Sequence, residues 1–419
     1  MKICLITNTL VSYNPRLLKE ADTLHENGHD VRVISVSNNS ERAEADEKLA
    51  LSRTWKWEKL DFLPEKLFGR LRWLISGIRV KLFLQLSKLS LSFNNAELAF
   101  CRYLPETLIT VLKEPADLYI AHNLQSLPVA AKAAKATNGL LGFDVEDFHI
   151  GEDSSITFNP HEQKLKEYII GKYIIDCDYL STTSEAMAQA LIQEFNIPYP
   201  TVLYNVFPLA YSTGLLPPKS RTIASTSREY YTAYWFSQFI HLDRGIQDFI
   251  RAMPLLSKRV ELHLRGMLIP DVRDAILDLA RQLGVEDTIF FHPLIYAEDL
   301  VGDAAQYDFG LALEQPVSKN RLITVTNKLF VYLLAGNAII ATKTPGQQEI
   351  LEKLPGVGIQ YDFGDFADLA RQINNHFLTG DILNMRQKSW EAGQSKYNWD
   401  REQKNLLDTV NAFTVENVI

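Results

Sequence analysis

The chain has 419 residues, of which 46% are hydrophobic and 22% charged, and its formal net charge is −8. This composition predicts a folded protein of two or three domains, and the acidic balance argues against a nucleic-acid partner. Three widely spaced cysteines favour reduced thiols over a disulfide framework or a zinc site. The apolar runs fall short of the roughly 18 residues that span a bilayer, and the first residues predict a strand rather than a signal peptide.

The first half of the chain has the hydrophobic pattern of a parallel sheet. A buried strand at Lys2–Asn8, an amphipathic helix at 16–27 and a strand at 31–36 form a βαβ unit, with Gly28 ending the helix. The same pattern predicts further strands at 117–121, 140–145 and 179–183. These segments predict one doubly wound α/β domain over residues 1–206.

A segment within this domain departs from the pattern. Residues 66–96 hold six basic residues and no acidic residue, although the whole chain is acidic. A basic helix with tryptophans beside it can lie on an anionic membrane. The alternative is a helical insertion, at about 53–100, whose apolar face packs on the first domain. From the sequence, both interpretations stay open.

The second half repeats the α/β pattern. It predicts a domain at 222–392, after a linker at 207–221 that is rich in proline, serine and threonine, and before a helical segment at 393–419. The predicted strands lie at 234–239, 260–265, 289–291, 309–313 and 338–341, and the predicted helices at 246–256, 273–283 and 328–335. In doubly wound domains, the carboxyl ends of the strands are the expected ligand site.

Charged residues follow the predicted strands of the second domain. Arg244 and Gly245 open a helix, where the arginine can bind a phosphate and the glycine permits close approach. Asn327 and Lys328 open another helix, and a cation in a first turn is unfavourable unless an anion docks there. Glu314 adds a carboxylate that can accept hydrogen bonds from a sugar. The two cations together predict a diphosphate site.

The first domain offers polar candidates at similar positions. Arg16 opens the first helix at the mouth of the predicted cleft, where it can meet a phosphate or a sugar; the alternative is an arginine exposed to solvent. His122 and Asn123 follow a buried strand, and the histidine can share a proton or bond a hydroxyl. Asp144 and Glu146 can polarise a hydroxyl, bind a divalent metal or form a solvated acidic loop. The loop between the first strand and the first helix lacks the motif G-x-G-x-x-G, which argues against an NAD or FAD enzyme.

The motifs in this order resemble those of the family four glycosyltransferases. The resemblance covers almost the whole chain, through the motifs N-P-R-L-L-K-E-A-D, A-H-N-L-Q-S-L-P-V-A, F-D-V-E-D-F-H, W-F-S-Q-F-I-H-L-D-R-G-I and T-N-K-L-F-V-Y-L-L-A-G. It implies the GT-B fold, in which two Rossmann-like domains face each other across a cleft and the last helix, here at 393–419, crosses back to the first domain. It also implies a retaining enzyme that transfers a sugar from a UDP- or GDP-linked donor, with no cofactor and no essential metal.

The resemblance also implies residue roles. Arg244 and Lys328 would hold the donor diphosphate, and His122 would bond a hydroxyl of the transferred sugar. Glu314 would begin the family's E-x₇-E pair, with the spacing stretched by an insertion at 315–324. The predicted site is therefore His122, Arg244 and Lys328 as catalytic residues, Gly245, Glu314, Asn327 and Arg16 on the donor, and Asn123, Asp144 and Glu146 on the acceptor side.

The implied function is the synthesis of a surface polysaccharide on a glycan or lipid-linked acceptor, in the cytoplasm or at the inner face of the membrane. One residue departs from the family pattern. Val331 stands where the family usually has a glutamate that binds the ribose hydroxyls, and losing such a charged hydrogen bond costs about 1.5–3 kcal/mol. This departure motivates two alternatives, a non-catalytic GT-B scaffold protein and a sugar-nucleotide epimerase or hydrolase.

Overall fold

The computed structural model describes residues 1–152, 158–221 and 230–416. The predicted start of the second domain, at 222–229, lies outside the described residues. The chain divides into two compact units, each built on one parallel sheet. The first unit comprises Met1–Thr183, Met187–Leu203 and Gln403–Ile419, and the second comprises Ser184–Ala186 and Tyr204–Glu402.

The first unit has a seven-stranded parallel sheet in the order β3-β2-β1-β4-β5-β6-β7. The order reverses between β1 and β4, so the sheet is doubly wound and its ligand crevice is expected at their carboxyl ends. The central strands are almost wholly buried, as the apolar sequence runs predict. The strands are β1 (Lys2–Thr7), β2 (Asp30–Ser37), β3 (Lys56–Asp61), β4 (Leu118–His122), β5 (Leu140–Val145), β6 (Tyr179–Thr182) and β7 (Thr201–Val202).

Helices connect these strands, and local sequence sets where they begin. In the first helix, Pro15 stands in the first turn and the Asn14 side chain accepts a hydrogen bond from the Leu17 amide at 2.9 Å. The helices are α1 (Pro15–Glu26), α2 (Ser40–Ala50), α3 (Leu67–Leu89), α4 (Phe93–Phe100), α5 (Leu104–Val111), α6 (Leu127–Thr137), α7 (Pro160–Tyr173) and α8 (Glu185–Phe195).

The predicted insertion at 53–100 needs a correction. Its first part is not helical, because Lys56–Asp61 forms β3 and pairs in parallel with β2 at the edge of the sheet. The helical part follows as α3 and α4, which pack on each other. Within the described chain, no helix combines the length and the apolar character that crossing a bilayer requires.

The second unit has a six-stranded parallel sheet in the order β10-β9-β8-β11-β12-β13. The order again reverses between two central strands, β8 and β11, which pair at Phe309 and Ala233. The strands are β8 (Tyr230–Ile240), β9 (Arg259–Leu268), β10 (Ile289–His292), β11 (Phe309–Ala312), β12 (Ala338–Thr342) and β13 (Gly358–Tyr361).

Nine helices of the described second unit surround this sheet, and one of them is shorter than predicted. The helix predicted at 246–256 ends at Ala252 and continues as a tighter turn over Met253–Leu255, because Pro254 cannot donate a hydrogen bond to the preceding turn. The helices are α9 (Pro218–Arg221), α10 (Ile246–Ala252), α11 (Pro270–Gln282), α12 (Leu300–Ala304), α13 (Lys319–Ile323), α14 (Asn327–Ala335), α15 (Pro345–Leu351), α16 (Phe366–Thr379) and α17 (Ile382–Ser395).

The last helix, α18 (Trp399–Glu416), contributes residues to both units. Its residues from Gln403 onward belong to the first unit, where Leu406 and Val410 are fully buried. The Thr23 hydroxyl donates a hydrogen bond to Gln403 at 3.1 Å, which ties the helix to α1. The first unit is therefore built from the two ends of the described chain.

Candidate active site

Three segments of the second unit bring charged residues together beside the point where its strand order reverses. Arg244 follows β8, Glu314 follows β11, and Lys328 lies in the first turn of α14. Both β8 and β11 are central strands, so their carboxyl ends open at the expected ligand crevice of this sheet. The sequence predicted that these three residues lie together at the carboxyl ends of the strands, and the fold brings them together there.

A single buried carboxylate lies at the centre of this cluster. Lys328 Nζ is 2.8 Å from Glu314 Oε1, and Arg321 Nη1 is 3.1 Å from Glu314 Oε2. Arg244 Nη1 is 4.0 Å from the same Oε2 atom. The side chains of Glu314 and Lys328 are buried, whereas those of Arg244 and Arg321 are 26% and 21% exposed. The cluster therefore presents two guanidinium groups outward over a buried ion pair.

The charges of this cluster do not balance. Burial alone would raise the pKa of Glu314, but the nearby Lys328 and Arg244 outweigh it and hold the pKa below its ordinary value. The carboxylate is thus ionised. Together with Asp243, whose Oδ1 lies 3.6 Å from Arg244 Nε, it offsets two of the three cations Arg244, Arg321 and Lys328. The sequence interpretation missed Arg321, because 315–324 was treated only as an insertion, and its basic residues were the available signal.

The neighbouring residues Gly245 and Asn327 have defined local roles. Gly245 has a φ of +75°, and a Cβ atom there would lie 2.3 Å from the Leu313 carbonyl oxygen. The glycine is therefore required by the chain itself, whatever ligand approaches it. Asn327 is the first residue of α14, whose preceding residue, Thr326, makes no side-chain capping hydrogen bond. Whether either residue binds a donor stays a prediction.

Val331, in the middle of α14, is fully buried. The carboxylates that could compensate for a missing glutamate are engaged within the second unit. Glu314 is paired with two cations, and Glu349 accepts hydrogen bonds from the amides of Glu185 and Ala186 at 3.1 and 2.9 Å. Both carboxylates therefore already have partners within the unit.

The first unit holds a second charged cluster at its own strand reversal. His122 ends β4 and pairs in the sheet with Thr7, the last residue of β1. Arg16 is fully buried, not exposed as the sequence suggested, and binds Asp144 through two hydrogen bonds of 2.6 and 2.7 Å. Its remaining terminal nitrogen donates to the Leu203 carbonyl at 2.5 Å. The guanidinium thus positions Asp144, and its three nitrogens all have partners within the unit.

The ring of His122 lies between two carboxylates. Its Nδ1 is 3.4 Å from Asp144 and its Nε2 is 3.5 Å from Glu20, in contacts too poorly aligned to be hydrogen bonds. Burial alone would lower the pKa of His122, but Glu20 and Asp144 outweigh it and raise the pKa. Burial and the charge of Asp144 raise the pKa of Glu20 to about 7. Glu20 lies on α1 and was missed, because a glutamate on an amphipathic helix ordinarily faces solvent.

Asp144 has the opposite pKa shift. Burial would raise its pKa, but Arg16 and His122 outweigh burial and hold the pKa well below its ordinary value. The Ser181 hydroxyl donates a further hydrogen bond to Asp144 at 2.6 Å. The carboxylate is therefore ionised and its accepting positions are largely filled by the first unit itself.

Glu20, His122 and Asp144 each offer a potential metal-ligand atom within 4.8 Å of the others. A cation already occupies this position. Arg16 Nε lies 2.6 Å from Asp144 and 3.4 Å from Glu20, so the guanidinium stands where a metal ion would have to bind. These residues therefore do not fit a metal ion without the displacement of a buried arginine.

The two other predicted acceptor-side residues lie next to this cluster. Asn123 has a φ of +84° and accepts hydrogen bonds from the amide and hydroxyl of Ser126, at 3.2 and 3.0 Å. Its side chain therefore caps the turn that leads into α6. Glu146 is half-buried beyond the end of β5, and burial with the charges of Asp147 and Asp144 raises its pKa to about 7.

Comparison with known proteins identifies the fold class. The fold is the GT-B fold of the glycosyltransferases, as the sequence predicted. HepE of Anabaena, in complex with UDP-glucose, matches with a TM-score of 0.69 at 15% identity, over 98% of this chain and 100% of that chain. Sucrose-phosphate synthase from Thermosynechococcus elongatus matches with a TM-score of 0.72 at 12% identity, over 99% of this chain and 100% of that chain.

A third structure extends the comparison to a lipopolysaccharide enzyme. The outer core galactosyltransferase WaaB matches with a TM-score of 0.57 at 14% identity, over 98% of this chain and 99% of that chain. No protein-family model and no curated protein matches the chain. At these identities the structural matches establish the fold, and the function is argued from the site.

Proposed function

We propose that the protein is a glycosyltransferase that moves a sugar from a nucleotide sugar to an acceptor hydroxyl, with retention of the anomeric configuration. The observation that carries the proposal is the group of three cations, Arg244, Arg321 and Lys328, around the buried carboxylate of Glu314, with Asp243 beside Arg244 as the second acid. The leaving group of a nucleotide sugar is a diphosphate, and an excess of cations stabilises its charge.

The geometry of the cluster suits a diphosphate in two ways. Arg244 and Arg321 are both partly exposed, and guanidinium groups bind phosphate oxygens through paired, charge-assisted hydrogen bonds. The nine-residue helix α14 begins beside them without a side-chain cap, so its first amide groups are available to an anion. Lys328 is buried against Glu314, and its charge adds to that of the two partly exposed arginines.

The mechanism follows from where charge develops. As the bond between the sugar and the diphosphate breaks, Arg244, Arg321 and the start of α14 stabilise the negative charge of the leaving group. The acceptor hydroxyl attacks from the face that the phosphate leaves, and the leaving phosphate takes its proton. We infer that these cations meet the phosphate charge without a metal ion. His122 would bond a sugar hydroxyl only if its contact with Glu20 or Asp144 opened.

The structural neighbours support the choice of donor and pathway. HepE is in complex with UDP-glucose, which makes UDP-sugars the first donors to test, before GDP-sugars. WaaB is a lipopolysaccharide outer core galactosyltransferase, which supports a glycan or lipid-linked acceptor in surface polysaccharide synthesis. We propose that the protein acts in the cytoplasm or at the inner face of the membrane.

Calorimetry with a panel of UDP- and GDP-sugars tests the proposal. Arg244→Ala and Arg321→Ala should each weaken donor binding about tenfold to a hundredfold, the size of one lost charged hydrogen bond. Arg273→Ala and Lys353→Ala are matched controls, because both are exposed cations of the second unit outside the cluster. Wild-type binding to none of the panel, or equal binding by all four variants, would contradict the proposal.

Val331 gives a reason for a second candidate, a non-catalytic GT-B scaffold. The buried valine cannot bind ribose hydroxyls, and Glu314 and Glu349 are engaged by other residues. The scaffold hypothesis predicts no binding to any nucleotide sugar, and binding to another assembly protein instead. Turnover of a nucleotide sugar in the absence of acceptor would favour the third hypothesis, an epimerase or hydrolase.

A further inference from the structure

The helix α3 in the first unit is packed in the reverse of the usual sense. A surface helix ordinarily buries its large apolar side chains and exposes its polar ones. In α3 the buried residues are small, namely Gly69, Ser76 and Ser87. Eight large apolar residues are exposed instead, whereas Val80, Phe83, Leu84 and Leu86 are half-buried. The exposed ones are Leu67, Phe68, Leu71, Leu74, Ile75, Ile78, Leu82 and Leu89, with exposed fractions from 45% to 85%.

These exposed residues form one stripe, in which the exposed Gln85 is the one polar residue. At about 100° of rotation per residue, all eight fall within roughly 60° of one line along the helix. The helix has 23 residues, so the stripe is about 33 Å long. An apolar patch of this size is unusual on the surface of a protein that has no partner for it. We call it the outer stripe of α3.

Polar contacts hold α3 in this orientation. Arg79 binds Glu106 through two hydrogen bonds of 2.9 and 2.7 Å, and Arg102 donates to the Ser76 hydroxyl at 3.0 Å. Near the end of the helix, the Ser87 hydroxyl is 2.9 Å from His161 Nε2. Ser76 and Ser87 lie on the inner side of α3, and Arg79 lies at its border, about 80° from the centre of the exposed side chains. The outer apolar side chains stay exposed while these contacts are intact.

The start of the helix is fixed in the same way. A Cβ atom at Gly69 would lie 2.4 Å from the Leu63 carbonyl oxygen, so only glycine permits this close approach. The helix cannot be turned over to bury its apolar side without loss of this contact and of the polar anchors. The interpretation in which the insertion packs its apolar face on the first domain is therefore not what this unit shows.

Basic residues border the outer stripe on both sides. Arg70, Lys81 and Lys88 lie along one edge and Arg72 lies along the other, at about 80–100° from the centre of the stripe. All four are exposed, and none forms an ion pair with an acidic side chain in the described part of the chain. A positive border around an apolar stripe is complementary to a surface that is anionic outside and apolar within.

We propose that the outer stripe of α3 docks on the surface of an anionic lipid bilayer. The apolar side chains would enter the boundary between headgroups and acyl chains, and the four cations would lie among the anionic headgroups. A second copy of the chain is the poorer fit, because a two-fold contact through this stripe would bring the two positive borders together. This proposal does not depend on the proposed enzymatic activity.

Sedimentation with vesicles tests the proposal on the full chain. Binding should be strong to phosphatidylcholine vesicles with about 30% phosphatidylglycerol and at least tenfold weaker to phosphatidylcholine alone. Arg70→Glu/Lys81→Glu/Lys88→Glu should lower the partition coefficient on the order of a hundredfold, since each basic residue contributes about fivefold. Leu74→Ser/Ile78→Ser should lower it at least tenfold at any lipid charge.

Matched controls change exposed residues of the first unit away from α3. Ile109→Ser/Ile175→Ser removes two side chains that are 67% and 60% exposed, and Lys113→Glu/Lys135→Glu/Lys164→Glu makes the same change of net charge. Both controls should bind like the wild type. Equal losses in control and α3 variants, or equal binding to neutral vesicles, would overturn the proposal. So would a dimer in solution that Leu74→Ser/Ile78→Ser dissociates.

Discussion

Replacement of Glu314 by glutamine tests the charge arrangement of the second unit directly. The substitution keeps the shape of the side chain and removes its charge. Glu314 is 2% exposed and neutralises Lys328, which is 4% exposed and lies 5.6 Å from the ring of Trp235. In the variant, the buried ammonium of Lys328 would face two further cations, Arg244 and Arg321, without any counter-charge from Glu314.

The expected effects on stability and on anion binding have opposite signs. Removing one partner of a buried ion pair lowers the free energy of unfolding by about 3–5 kcal/mol. We expect the lower end of this range, because Arg244 and Arg321 can turn toward solvent. The affinity for inorganic pyrophosphate should rise. Removing one negative charge about 5 Å from the anion is worth about 3 kcal/mol at an effective dielectric constant of about 20, and screening by salt reduces this to about tenfold in affinity.

Urea unfolding followed by tryptophan fluorescence measures the first effect, and titration with pyrophosphate measures the second. Glu298→Gln is the matched control, because it removes one exposed carboxylate from the same unit. The double variant Glu314→Gln/Lys328→Met should be more stable than Glu314→Gln alone, since it leaves no unpaired buried charge. If Glu314→Gln unfolded at the same urea concentration as Glu298→Gln, or bound pyrophosphate more weakly than the wild type, the charge argument would be refuted.

Two further predictions concern backbone strain and pH. Gly245→Ala should lower the free energy of unfolding in urea by at least about 2 kcal/mol more than Gly284→Ala. Both glycines have positive φ, but only at Gly245 would a Cβ lie within 2.3 Å of another atom. Equal losses of stability in the two variants would contradict this prediction. Glu20 and His122 bind their protons more tightly in the folded protein, so the stability they contribute is present at low pH and is lost as pH rises, for Glu20 between about 4.5 and about 7. Glu20 and Glu146, whose pKa values are both raised to about 7, should each lower the free energy of unfolding on the order of 3 kcal/mol over that range. Glu20→Gln, but not the exposed Glu26→Gln, should therefore remove about half of the fall; an unchanged pH profile in Glu20→Gln would count against it.

The sequence predicted the central strands of both sheets well and missed strands at their edges. A central parallel strand such as β4 is buried on both faces, so its sequence is a continuous apolar run. The edge strand β3, K-W-E-K-L-D, is half-exposed and mixes charges with apolar residues, and β7 has only two residues. Their pairing depends on the neighbouring strand, which local sequence does not contain.

The candidate site was predicted in part for a related reason. The positions of Arg244, Glu314 and Lys328 at strand ends and helix starts follow from local patterns, and the fold brings them together. Which charge neutralises which does not follow from such patterns. An external phosphate was inferred for Lys328, whereas the structure gives it Glu314 as a partner, and Arg16 was expected at the surface but is buried on Asp144. These pairings join residues 14 and 128 positions apart in the chain.

The division of α18 between the two units sets an order for synthesis. A chain leaves the ribosome from its amino terminus, and domains generally fold as they emerge. The first unit cannot do so completely, because it includes residues from Gln403 onward, among them the buried Leu406 and Val410, and because Gln403 accepts a hydrogen bond from Thr23 of α1. The second unit is therefore fully made before the first can be finished, and until then the first unit lacks the apolar side chains of Leu406 and Val410.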